Sequence, residues 1–346
     1  MSRFIQEGKV SIVAEMAQSY EGSQDVAEQI AIKACRAGVD AVMFQVVYAD
    51  ELAVPQNNRY SLFRNLEMPK NNWKRIIDTV HAAQGMAFGE IFGKRSADVV
   101  LEGGIDGFKI HAADLSNLGL LRYVGQTNLP TLLSVGGCTE EEVRTAVQVM
   151  QDSGSEEIIL MHGYQLCPTS LDCTHVLKIP ALKERFGFPV GYGDHIAGCV
   201  EGDVSRMNPL ALTIPLLAIG AGAKVIEKHV ILNRTRAWED YESALTPEEF
   251  VDFVTLIRSV EMALGDKSLA PNDAESAYRT SAKKYIVAAN DIAAETILKE
   301  EHILFKRIEK PEEGIVAPID VLGRKLRYPL RCNEVITLGS LVQEEG

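Results

Sequence analysis

The chain has 346 residues, enough for one large domain and a smaller one, and its 46% hydrophobic and 24% charged residues place it among globular rather than disordered or fibrous proteins. A formal charge of -13 argues against a nucleic-acid partner but leaves room for a local basic pocket. No apolar run is long enough to span a bilayer, no signal-peptide pattern opens the chain, and the six cysteines form no Cys-x-x-Cys pair; a cytoplasmic protein with reduced thiols and no membrane partner is expected.

Apolar, mostly β-branched runs recur along the first two thirds of the chain with helical material between them. They begin at Val10, Ala41, Ala87, Gly107, Thr131, Glu157, Phe188 and Ala223. Eight such runs in alternation with helices predict an α/β fold, a (β/α)8 TIM barrel over residues 1–265. A Rossmann sheet is disfavoured, since no Gly-x-Gly-x-x-Gly follows the first run. Helix starts are legible. Thr139 with Glu142 fits a capping box, and Thr246-Pro247 places proline at the first helical position. The segment after it repeats Phe250, Phe253, Val254, Ile257 and Val260 on one face. Residues 266–281 are polar and read as a linker. The last segment, 282–346, carries short strand-like pieces at Tyr285, Ile303 and Leu326 and predicts a small, mostly β domain.

The chemistry gathers at the C-terminal ends of the predicted strands, which form the active face of such a barrel. Two strings stand out, Gly-Tyr-Gly-Asp-His ending at His195 and Val-Ile-Glu-Lys-His ending at His229. Paired imidazoles at adjacent strand tips are what a metal or acid–base site requires. The same face offers Glu15, Gln45, Glu90, Lys109, His111, Asp114, Ser134, His162 and Gln165. Alternation points Lys228 away from His229, into a salt bridge in the wall. Buried ionisable groups are costly unless paired, so a purely structural barrel would not need this set.

With those residues in view, the chain resembles the sialic acid synthases, the family that includes N-acetylneuraminate, legionaminate, pseudaminate and spore-coat polysaccharide synthases. The resemblance runs through Ala14-Glu15, Phe108-Lys-Ile, Leu133-Ser-Val-Gly, Pro168-Thr169, both histidine strings and Asp240. It extends into the tail through Asn290-Asp-Ile, Phe305-Lys-Arg and Val321-Leu-Gly-Arg-Lys, which look like that family's antifreeze-like (SAF) domain. It implies condensation of phosphoenolpyruvate with an N-acyl sugar aldehyde, giving a 2-keto sugar acid and phosphate. By the same resemblance His195 and His229 match the ligands of a divalent metal, Mn2+ or Mg2+. Glu15 and Asp114 match the active-site acids, Lys109 and Ser134 match phosphoenolpyruvate contacts, and Asp240 matches a contact to a sugar hydroxyl. Gln165 stands at a further substrate position. Arg307 matches an arginine delivered to the partner subunit's active site in a domain-swapped homodimer.

The chain departs from the family pattern mainly on the phosphate side. Met43 stands where the family has a phosphate-binding lysine, Glu90 where it has a small hydroxyl, Ala112 in place of a serine, Gly193 in place of another, Cys167 in place of a tyrosine and Tyr20 in place of a histidine. Losing one cationic contact to phosphate costs about 1.5–3 kcal/mol. Either Lys94 and Arg95, just past the third strand, supply replacement charge, or the three-carbon donor is unphosphorylated and the enzyme is an aldolase or lyase on the same scaffold. A non-catalytic sugar-binding homologue is the third reading, and retention of both histidines speaks against it.

Overall fold

A computed structural model describes residues 4–164, 166–237, 239–309 and 314–343. The chain divides into two compact units, Met1–Gly265 and Asp266–Gly346. In the first, strands β1 (Ser11–Glu15), β2 (Ala41–Gln45), β3 (Met86–Ile91), β4 (Gly107–Ile110), β5 (Thr131–Ser134), β6 (Ile158–His162) and β7 (Val190–Asp194) alternate with helices. An antiparallel hairpin, β8 (Cys199–Val200) and β9 (Asp203–Met207), then interrupts the series. Strand β10 (Val225–His229) pairs in parallel with β7 on one side and β1 on the other, closing an eight-stranded parallel barrel. The expected barrel is therefore present. The hairpin was not foreseen, because it lies in a polar stretch without strand-like alternation.

Local chemistry explains the helices that pack around the barrel. Gln24–Ala37 buries Ala27, Ile30, Ala31, Ala34 and Ala37, a stripe at helical spacing, and ends at Gly38 with φ 91°. Thr139 and Glu142 form the expected reciprocal cap, at 3.3 and 2.7 Å. Helix Pro247–Leu264 starts on the Thr246 cap and buries Phe250, Phe253, Val254 and Ile257, while Val260 is half-buried. Such side chains contribute about 1.5–3 kcal/mol each when fully buried. Gly191 is required inside the barrel: a Cβ there would meet Met161 Sδ at 2.4 Å and Val225 Cβ at 2.8 Å.

The second unit has its own apolar core, including Ile286, Leu298, Val321, Leu326 and Ile336, beneath the antiparallel pair β11 (Tyr285–Ala288) and β12 (Ile303–Lys306). Part of the expected linker is a helix, Asp273–Ala282, none of whose residues is buried. An Asn272–Glu275 capping box starts it. The composition hid this helix because it presents no apolar face.

Candidate active site

Inward-facing residues alternate along each strand, as a period of two requires. Toward the N-terminal end they form an apolar plug of Val13, Met43, Phe88, Leu132, Ile159, Met161 and Val225, with Phe4. Two residues further along, the same register brings in Glu15, Gln45, Glu90, Lys109 and Glu227. Glu90 and Lys109 are direct partners across β3 and β4. The four ionisable side chains among these are 0–2% exposed. Lys109 Nζ lies 2.6 Å from Glu227 Oε1, 3.6 Å from Glu90 Oε1 and 4.0 Å from Glu15 Oε2. One ammonium thus serves three carboxyl groups. The other Glu90 oxygen accepts from Gln45 Nε2 at 2.8 Å, and Glu15 Oε1 accepts from the Ala17 N–H at 2.5 Å. Glu15 Oε2, Glu90 Oε1 and Glu227 Oε2 have no hydrogen-bond partner.

Electrostatics follow from that crowding. Burial, with the Glu90 and Glu227 charges adding to it and Lys109 opposing, holds the Glu15 carboxyl well above the usual range. Burial also raises Glu227. Burial works against the Lys109 ammonium, yet Glu227, Glu90 and Glu15 together keep its pKa above the ordinary lysine value. Behind the wall, Lys228 makes the expected separate pair, 2.6 Å from Asp194 and 2.9 Å from the Ile196 carbonyl, with both charged side chains fully buried.

Above Lys109 the rings of His195 and His229 face each other edge to face, 4.9 Å between centroids. The His195 backbone is fixed on two sides: its carbonyl accepts from Thr169 N and Ser243 Oγ, each at 2.8 Å. Burial depresses His195 to about 3, with Lys109 and Lys228 adding to the effect, and burial together with His195 holds His229 well below the ordinary histidine value. Both imidazoles are therefore neutral, the state in which a ring nitrogen can bind a metal. His195 Nδ1 sits 3.3 Å from the Gly193 carbonyl, a contact that puts the ring proton on Nδ1 and leaves the Nε2 lone pair for a ligand, and His229 Nδ1 has no hydrogen-bond partner. His195, Glu227 and His229 each offer a ligand atom within 4.8 Å of the others. Neutral imidazoles beside an excess of buried carboxylate fit a divalent cation in both ligand type and charge.

A cleft of about 410 Å³ opens above this group, lined by Lys109, Asp114, His195, His229 and Asp240 among others. Burial raises Asp240 to about 6, and its Oδ2 accepts weakly from the Gln18 N–H at 3.4 Å. Burial also raises Asp114, to which Asn117 Nδ2 donates at 3.3 Å.

Of the residues expected from sequence, these five are brought together at the cleft with Gln45 and His111. Glu15 and Ser134 face the barrel interior without lining it, and Ser134 Oγ has no partner. Lys94 and Arg95 do not supply the missing charge. Lys94 is exposed and pairs with Asp98 at 3.0 Å, and Arg95 lies 3.7 Å over the Tyr48 ring while its N–H binds Glu51. Both sit on the first turn of helix Lys94–Gly103, where a neighbouring acid and an aromatic face outcompete the cleft. His162 turns to the outer side of the wall, its Nε2 2.9 Å from the Thr174 carbonyl. Gln165 lies outside the described residues. Arg307 belongs to the second unit, where its Nε donates to the Ala282 carbonyl.

Sequence reasoning missed Gln18 and Arg59, both on the cleft wall. Gln18 follows β1 closely and donates to Gln45, itself bonded to Glu90, so its distance from the strand end was a usable signal. Arg59, paired with Glu239 at 2.7 Å, comes from the long segment after β2, which carried no signal.

Comparison with known proteins places the chain beside one family. The model of the NeuB family matches residues 30–269. An uncharacterized protein of Methanocaldococcus jannaschii is 28% identical over 96% of this chain and 95% of its own length. The N,N'-diacetyllegionaminic acid synthase of Legionella pneumophila is 26% identical over 94% and 92%. Among solved structures, the N-acetylneuraminic acid synthetase of Leptospira borgpetersenii superposes with a TM-score of 0.72 at 27% identity, covering 79% of this chain and 92% of that one.

Proposed function

Since the chain belongs to the NeuB family, we propose that it joins a three-carbon 2-oxo acid unit to the open-chain aldehyde of a sugar, giving a sialic-acid-like 2-keto sugar acid. The observation that carries this reading is the His195–Glu227–His229 donor set above Lys109 at the C-terminal mouth of the barrel. A divalent cation held there would polarise the aldehyde oxygen as a Lewis acid. Lys109, anchored by Glu227, presents its ammonium at the base of the cleft to the donor's carboxylate. Asp240, with its raised pKa, accepts a sugar hydroxyl, and Asp114 on the same cleft exchanges protons with the reacting carbonyl or with water. Glu15 and Glu90 act from below by holding the ammonium in place. In the proposed assembly the antifreeze-like tail of a partner chain supplies Arg307.

Kinship with the synthases points to phosphoenolpyruvate as donor. Its C3 bonds to the aldehyde carbon, the aldehyde oxygen takes a proton, water adds at C2, and phosphate leaves with its C–O bond.

The site also supports a second reading. Met43 is packed in the apolar plug, Lys109 is committed to carboxylates, and Lys94 and Arg95 are engaged away from the cleft. Those observations favour an unphosphorylated donor such as pyruvate. There a C3 proton leaves to a carboxylate, C3 bonds to the aldehyde carbon, and the aldehyde oxygen is protonated.

Two assays with Mn2+ or Zn2+ present separate the readings. Phosphate release is followed from phosphoenolpyruvate with a panel of N-acylated hexosamines and plain hexoses. Deuterium exchange into the pyruvate methyl group is followed by NMR without an acceptor. Phosphate release supports the first donor and exchange the second. Failure of both, with no 2-keto acid formed from either donor, would defeat the proposal.

A further inference from the structure

The cleft holds a second group of ligand atoms. Cys167, from the loop after β6, and Asp240, from the loop after β10, meet His229 so that Sγ, a carboxylate oxygen and an imidazole nitrogen all lie within 4.8 Å of one another. All three residues line the cleft. His229 is shared with the His195–Glu227–His229 set, and its buried Nδ1 has no hydrogen-bond partner.

The loop that carries the thiol is well anchored. Thr169 Oγ1 donates to the Tyr164 and Leu166 carbonyls at 2.7 and 2.8 Å, and Thr169 N donates to the His195 carbonyl at 2.8 Å. The backbone bond ties the loop, two residues past the thiol, to the His195 main chain. Asp240 sits at φ 64°, in the left-handed region that Asp and Asn enter more readily than most residues.

We propose that Cys167 is a thiolate ligand of the bound cation, alongside His229 and Asp240, and that the site accordingly selects a thiophilic ion of the zinc type over manganese or magnesium. The proposal rests on the reading that a cation binds at these histidines. Thiolate and imidazole suit Zn2+ and Co2+, whereas Mg2+ and Mn2+ favour oxygen donors. On binding, the thiol proton passes to solvent, and the thiolate and the Asp240 carboxylate balance the two positive charges. Cys167 is in this account a selector of the metal, where a side chain that only filled space would leave ion preference unchanged.

The test uses the full-length chain loaded with Co2+. A thiolate-to-cobalt charge-transfer band is expected in the near ultraviolet. Cys167→Ser and Cys167→Ala should lose the band while still binding cobalt, with unchanged circular dichroism as the control for folding. Losing a residue that merely supports a ligand weakens metal binding by about 10–100-fold, so Zn2+ affinity, read by competition with a chelating dye, should fall at least ~10-fold in both variants. Mn2+ affinity should hold within about twofold, since oxygen and imidazole donors remain. Cobalt bound without the band, or unchanged Zn2+ affinity in both variants, overturns the thiolate assignment and leaves the histidine site standing. Absence of any ion on the wild-type chain overturns both.

Discussion

Replacing Lys109 by methionine keeps the side chain's length and removes its charge. Glu227 then loses its 2.6 Å partner, and Glu90 and Glu15 lose the ammonium at 3.6 and 4.0 Å. Removing one member of a buried ion pair costs about 3–5 kcal/mol. Three such losses do not add, because the carboxyl groups repel one another and can take up protons. Glu15 and Glu227 already have raised pKa values, so the expected cost for the metal-free chain at pH 7 stays within about 3–5 kcal/mol. Urea unfolding followed by tryptophan fluorescence reads the barrel unit selectively, since both tryptophans lie within residues 1–265. The sign of the pH dependence is fixed. Without the ammonium the folded-state carboxyl pKa values rise further above the unfolded value, so the deficit should be largest at neutral pH. It should shrink as pH falls toward the ordinary glutamate value of about 4.3. Adding Glu227→Gln should restore at least ~1 kcal/mol by removing one unpaired charge. A deficit below ~1 kcal/mol that does not change with pH would refute the reasoning, because it would mean the carboxyls are neutral without Lys109's help.

Three further outcomes are expected. Met43→Lys combined with Glu90→Thr puts a cation back and removes an acid, and should tighten phosphoenolpyruvate binding by ~10-fold or more, as one charged hydrogen bond to phosphate implies; calorimetry showing no gain would argue that phosphate never occupied this place. Asp240, with its pKa raised to about 6, lends stability that is complete below its unfolded value of about 3.9 and is lost as pH rises through 6. The difference in melting temperature between the metal-free wild type and Asp240→Asn should follow that window, and a flat difference would contradict it. Mixing Arg307→Ala chains with His195→Ala chains should regain activity on subunit exchange if tails cross between partners, whereas two inactive partners that stay inactive would place each tail at its own barrel.

The barrel was legible because its eight strands are short apolar runs bounded by helix signals, and the inward register followed from alternation alone. His195, His229, Lys109 and Asp114 were legible for the same reason, at or just past strand ends, whereas Asp240, eleven residues beyond β10, was legible only through the family resemblance. Glu90 was visible as a departure, but not that it would share Lys109 with Glu15 and Glu227; that depends on strands β1 and β10 closing the barrel beside β7, a contact between residues over a hundred positions apart. The Lys94 and Arg95 expectation failed because strand-end proximity does not set side-chain direction on the first turn of a helix, where Asp98 and Tyr48 were nearer partners. The helix at Asp273–Ala282 escaped notice because capping and charge, rather than an apolar stripe, define it.

The central claim is that one divalent cation sits between the two strand-end histidines. Crystals grown with Zn2+ or Mn2+ and measured at the ion's absorption edge would test it most directly. The account predicts a single anomalous peak in the cleft, about 2.0–2.3 Å from a ring nitrogen of both His195 and His229. A peak elsewhere on the barrel, or none at saturating ion with both rings in their present positions, would contradict it.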